Sequence, residues 1–163
     1  MSIKSYQVST APKPAGPYSH AVAATGFLYP AGFGPIDPAT GAVTGTEISE
    51  QTRQVLRNVG TVLEAAGLGF GDVVKSTVHL ADVVRDFAGF NVAYAEFFTD
   101  GFPVRTTVGA TLPNFLGEID VVAAFPDAER GRGPSTVPST HSPATLSMRA
   151  STTLPTISPA RAP

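Results

Sequence analysis

Between positions 48 and 66 the apolar residues Ile48, Val55, Leu56, Val59, Val62, Leu63 and Ala66 recur at helical spacing. A stripe of that length predicts an amphipathic helix whose apolar face has to be covered by something else in the fold. Thr46 is placed to cap its start and Gly67 to stop it. A second stripe over 86–98 gathers Phe87, Phe90, Asn91, Tyr94, Phe97 and Phe98 on one side and predicts a second helix. The cover for both must come from the short β-like runs around them.

Those runs are 4–8, read as an edge strand, and 19–24 with 27–31, read as a hairpin turning at Thr25-Gly26. A loop dense in turn formers follows over 34–41. The run 73–80 alternates, with Val74, Ser76, Val78 and Leu80 on one face and Val73, Lys75, Thr77 and His79 on the other. Runs 105–110 and 118–125, separated by a loop containing Pro113, complete the set. The order βββαβαββ predicts an α+β fold, one sheet with two helices on one face. No helix remains for the opposite face, and 120–125, apolar at nearly consecutive positions, asks for burial on both sides. A homo-oligomer formed through the bare face is the expected partner arrangement.

Of the 163 residues 42% are apolar, enough for one packed domain, which we place over 1–127. The rest, 128–163, is a Ser/Thr/Pro-rich tail: 18 of the 34 residues from Arg130 onward are of those three types, and its apolar residues follow no period. Such a segment is expected to be disordered; a basic tether to an anionic surface, through its four arginines, and a late extension are the alternatives. Residues 1–129 carry 13 acids and 7 bases, a net charge of −6 that repels phosphate and argues against a nucleic-acid partner. The absence of cysteine excludes a disulfide framework, a thiolate nucleophile and thiolate-held metal centres. With no apolar run near the roughly 18 residues of a membrane span and no signal-like start, no membrane partner and a cytoplasmic location are expected.

Phosphate-loop, dinucleotide, zinc-protease and nucleophile-elbow motifs are missing. His20 and His79 have no third ligand in suggestive spacing, so no metal site is expected and both read as packed or solvent-facing histidines. Arg105 stands in a base-poor half just after Phe102-Pro103, where a guanidinium on a strand could clamp a carboxylate or pair internally with Glu118 or Asp120. Asp120, an acid between Ile119 and Val121, needs either a partner or a task. Tyr18 after Gly16-Pro17 could present a phenol at a loop exit or simply pack in a turn. Asn91 interrupts the second stripe and could orient a loop or ligand, or act as a cap.

The segments Gly16-Pro17-Tyr18-Ser19, Ala31-Gly32, Asp37-Pro38-Ala39-Thr40-Gly41, Gln51-Thr52-Arg53-Gln54-Val55-Leu56-Arg57-Asn58, Glu64-Ala65-Ala66-Gly67, Asp72-Val73-Val74-Lys75, Asn91-Val92-Ala93-Tyr94-Ala95-Glu96-Phe97-Phe98, Phe102-Pro103-Val104-Arg105 and Glu118-Ile119-Asp120 occur in that order. Together they resemble the reactive-intermediate deaminase (RidA, or YjgF-like) family of enamine and imine deaminases. The resemblance implies a chorismate-mutase-like trimer with a central barrel and three clefts between subunits, acting without a cofactor. It matches Arg105 to the family's carboxylate-binding arginine, Tyr18 and Asn91 to its tyrosine and asparagine, and Asp120 to the acid that handles water. Gly32, Ala31, Phe33 and Thr107 fall at further substrate-binding positions, with Ala31 and Phe33 in place of the common Ser and Gln, Thr107 in place of Cys, and Asp120 in place of Glu. The implied reaction turns a small imino acid into a 2-keto acid and ammonia. A non-catalytic 2-keto acid binding or sensing trimer is the alternative. Ribonuclease activity is a third reading, opposed by the charge.

Overall fold

The computed structural model describes residues 3–126, so the tail assigned to 128–163, with the domain boundary beside it, lies outside the described residues. Six strands form one sheet: β1 (Lys4–Tyr6), β2 (Ala21–Ala24), β3 (Phe27–Pro30), β4 (Val73–Leu80), β5 (Val104–Gly109) and β6 (Gly117–Ala124). Two helices, α1 (Ile48–Ala65) and α2 (Val83–Ala95), lie between them in the chain. The sheet order is β1-β2-β3-β6-β4-β5, and of its neighbours only β4 and β5 run parallel, joined by α2 as their crossover. The element order is the expected one.

Both helices pack on the same face. The α1 stripe buries Val55, Leu56, Val59, Val62 and Leu63 against Leu28, Val78, Ile119, Val121 and Ala123 of the sheet, in one core cluster that Phe90 and Tyr94 of α2 join. Each fully buried Leu or Val contributes about 1.5–3 kcal/mol, so this seam dominates the fold's stability. In β6, Gly117, Ile119, Val121 and Ala123 are buried while Glu118, Asp120, Val122 and Ala124 are only partly covered. The two-sided burial expected of this strand is therefore not met within one chain.

Local chemistry accounts for the boundaries, including those that differ from expectation. Glu47, not Thr46, is the N-cap residue of α1, because the Glu50 carboxylate reaches back to accept from both Thr46 N (3.1 Å) and Glu47 N (3.3 Å). Gly67 stops the helix as expected, at φ +77°, with Leu68 N donating to Leu63 O. Helix α2 begins three residues before 86, since Asp82 Oδ1 accepts from Arg85 N at 3.0 Å. In β4 a register shift between Val73 and Lys75 turns Val73 inward and leaves Val74 exposed, reversing the faces assigned to these two residues.

Arg53 of α1 makes a two-pronged contact to Glu96 at the end of α2, at 2.8 and 2.7 Å. That bond holds the Glu96 carboxyl below its ordinary value of 4.5. A carboxyl depressed on folding stabilises the fold fully above its unfolded pKa, and the contribution disappears as pH falls through the lower folded one. Thermal melts between pH 6 and 3 should therefore show a shallower acid-side loss of Tm in Glu96→Gln than in the native chain. The pair is exposed, so the difference should be small.

Candidate functional site

Arg105 sits on the edge strand β5 directly beside Ser76 of β4, and Ser76 is fully buried under the helices. Paired residues in a ladder project to the same side, so the Arg105 side chain also leaves the sheet on the helix side. There the 3.6-residue period of α2 presents Phe87, Phe90, Asn91 and Tyr94. The guanidinium carbon lies 5.8, 5.2 and 4.8 Å from the ring centroids of Phe87, Phe90 and Tyr94, and Nη2 donates to Asn91 Oδ1 at 2.7 Å. The ion pairs among the described residues are Arg53–Glu96 and Arg85–Asp86, so the internal pairing of Arg105 with Glu118 or Asp120 does not form. Asn91 is thus no helix cap; it orients the arginine. One amide and three ring faces hold a positive charge without neutralising it, and leave most of the five N–H donors open to an anion.

That guanidinium opens into a cavity of about 390 Å³ lined by Asn91, Tyr94, Ala95, Phe102, Pro103 and Arg105. Burial pushes the Tyr94 phenol above its ordinary value of 10.0, against the opposing effects of its Ser76 hydrogen bond and the Arg105 charge, so it stays neutral at physiological pH. Thr107, two residues along β5 on the same face, has a buried hydroxyl with no partner among the described residues.

A second cleft, about 200 Å³, is lined by Tyr18, Gly32, Phe33 and Glu118 together with Lys13 and Phe115. Phe33 exchanges two backbone hydrogen bonds with Ile119, at 3.0 and 3.1 Å, which lays Gly32 against the Glu118 carboxylate. The approach is close enough that a Cβ on Gly32 would stand 2.7 Å from Glu118 Oε1. Ala31, which donates its N–H to His20 O at 2.9 Å, precedes that glycine. From behind, Asn58 Nδ2 donates to Gly34 O (3.1 Å) and Ile36 O (2.8 Å), tying the loop to α1. Tyr18 closes its own turn, Oη accepting from Ala15 N at 2.9 Å. His20 is structural: Nδ1 accepts from Val8 N, which leaves Nε2 protonated to donate to Pro12 O.

Asp120 lies elsewhere. It pairs with Thr77 on the face that no helix covers and lines neither cleft; the acid at the cleft is Glu118, one pleat away on the same strand face. In the sequence Glu118 stands as a salt-bridge candidate for Arg105 and as the first residue of the Glu118-Ile119-Asp120 segment, where the resemblance gives the water to Asp120, and alternation alone treats the two acids alike. His79, cross-strand from Glu118 on that open face, has a buried Nδ1 without a partner among the described residues. In the sequence Tyr94 stands in the apolar stripe and in the Asn91–Phe98 segment, with no role of its own. The two clefts share no lining residue, and Arg105 and Glu118 leave opposite faces of the sheet, so a single chain does not bring them together.

Fold and site define an α+β protein with one six-stranded sheet, two helices on one face, and, beside a cleft, an arginine that no acid among the described residues pairs with. The family model described as Endoribonuclease L-PSP matches residues 8–125, and the chain belongs to that family, the RidA/YjgF family. A RutC family protein of Pyrococcus horikoshii is 50% identical over 115 residues, covering 69% of this chain and 90% of its own length. The 2-iminobutanoate/2-iminopropanoate deaminase of Bos taurus is 40% identical over 119 residues, covering 71% of this chain and 85% of the bovine protein. The crystal structure of the YjgF gene product of E. coli superposes with a TM-score of 0.69 at 38% identity, covering 74% of this chain and 98% of that one. Among the described residues no helix is long and apolar enough to cross a membrane.

Proposed function

We propose that the protein hydrolyses reactive 2-imino acids, and the enamines that tautomerise to them, to 2-keto acids and ammonia. The observation that carries this reading is the Arg105 guanidinium, partly buried, oriented by Asn91 and three aromatic rings, and paired with no acid among the described residues. Such a group accepts a substrate carboxylate through two parallel N–H···O bonds. The name of the bovine relative supplies the reaction class. An enamine takes a proton at its β-carbon and gives one up from nitrogen to become the imine; water adds to the imine carbon with one of its protons passing to nitrogen, and C–N cleavage, with the hydroxyl proton following to the leaving amine, releases ammonia and leaves the C=O. Glu118, against the Gly32 backbone, is the group we assign to the water, in place of Asp120. Tyr18 and Phe33 complete that half of the site, and no cofactor is needed for these steps.

Because the two clefts sit apart in one chain, the working site lies between copies: the Arg105 cleft of one closes on the Tyr18–Gly32–Glu118 cleft of the next. A homotrimer with the open sheet faces forming a central barrel satisfies this. It also covers Phe27, Tyr29, Val74, Val104 and Val108, which are exposed in the single chain. The −6 charge of residues 1–129 disfavours RNA as the substrate, despite the wording of the family description.

An amino-acid oxidase that generates imino acids in place provides the test. The protein should accelerate 2-keto acid release and sediment as three copies at the same concentration. Tight 2-keto acid binding without acceleration would replace the enzyme by a metabolite sensor, and a fully active monomer would reject the shared site.

A further inference from the structure

We infer that Tyr94, pinned by Ser76, is a positioning residue that sets the angle at which Arg105 meets its carboxylate. The inference rests on Arg105 being the anchor proposed above, and adds a residue to that site. Three observations converge on it. The Tyr94 ring is the nearest of the three to the guanidinium, 4.8 Å from Cζ, and it also lines the cavity into which Arg105 opens. Its hydroxyl is hydrogen-bonded to Ser76 Oγ at 2.7 Å, and Ser76 is the β4 residue paired with Arg105 itself. The ring is therefore tied to the same rung of the sheet that carries the arginine. Finally, Tyr94 is 3% exposed and Ser76 fully buried, and Phe90 and Phe98 flank the ring at 5.3 and 4.5 Å.

A long arginine side chain has many rotamers, and freezing them at the moment of binding weakens affinity. Asn91 holds one terminal nitrogen but does not by itself set the plane of the fork. The π face does, because a cation is attracted over the ring centre and the ring cannot rotate away while its hydroxyl is bonded to Ser76. Ser76, a polar side chain deep in the apolar seam, is satisfied by that bond and acquires a task through it.

The experiment varies ring electron density at constant shape. In the full chain, position 94 is made Phe, 4-fluorophenylalanine and 3,4,5-trifluorophenylalanine, and KM, kcat, the inhibition constant of a 2-keto acid and Tm are measured for each. All members lack the hydroxyl equally, so packing and the loss at Ser76 are common to the series. KM and the inhibition constant should rise together with fluorination, roughly 2- to 30-fold from end to end, with kcat and Tm nearly level. Constants that stay flat across the series would overturn the inference while leaving Arg105 as anchor. Ser76→Ala and Tyr94→Phe should each raise KM, and the double variant should be no worse than the poorer single one; additive effects would show that the two do not act as a pair. If the native chain neither turns over imino acids nor binds a 2-keto acid, the anchor reading itself fails and the inference falls with it.

Discussion

Arg105→Ala is expected to lower kcat/KM for 2-imino acids by roughly 30- to several-thousand-fold, the equivalent of about 2–5 kcal/mol for losing one partner of a desolvated charge pair. The basis is geometric. Asn91 Oδ1 and three ring faces surround the guanidinium, and no acid among the described residues pairs with it, so none of the groups around it replaces its charge when it is removed. Arg105→Lys should recover little, because an ammonium is a point charge and cannot reproduce the planar fork. Steady-state kinetics on the three proteins, with Tm as a check on folding, decide the matter. An Arg105→Ala protein as fast as the native one would leave the reaction class standing and remove the site assignment.

The second large effect is expected at Glu118. Glu118→Gln keeps the side chain's size and shape but replaces one acceptor oxygen by an N–H donor and removes the base, and should lower kcat by roughly 10²- to 10⁴-fold with little change in the affinity for a 2-keto acid. Asp120→Asn should leave kcat within a small factor, since Asp120 lines neither cleft. Gly32→Ala offers a check that leaves the carboxylate in place chemically. The added methyl would stand 2.7 Å from Glu118 Oε1, so the acid must swing aside and kcat should fall in the same direction. Should Asp120→Asn abolish turnover while Glu118→Gln is silent, the water-handling role returns to Asp120.

Much of the candidate site is legible in the sequence. Arg105 stands out in a base-poor half just after Phe102-Pro103, and in the structure it is paired with no acid among the described residues. Asn91 was noticed as a polar residue on an apolar stripe, and the structure shows why: its amide oxygen holds the arginine. Tyr94 escaped because an aromatic residue at helical spacing is indistinguishable from core. Only its hydrogen bond to Ser76 and its distance to Arg105 reveal another use. Asp82 was a readable N-cap that lengthens α2, passed over because the apolar stripe begins later.

What the chain's order determined by itself is the set of elements and their faces. The α1 stripe, the Gly67 stop and the 73–80 strand follow from periods of 3.6 and 2 and from the left-handed tolerance of glycine, all properties of neighbouring residues. Tertiary structure decided which acid stands at a cleft. Glu118 and Asp120 share one face of β6 by alternation, and only the pairing of Phe33 with Ile119, segments far apart in the chain, brings the Gly32 backbone to Glu118. It also decided that Val73 turns inward where the bulge in β4 breaks the alternation, and that Arg105 and Glu118 point away from each other. Register between distant strands is set by the packing of the whole sheet, and no local pattern encodes it.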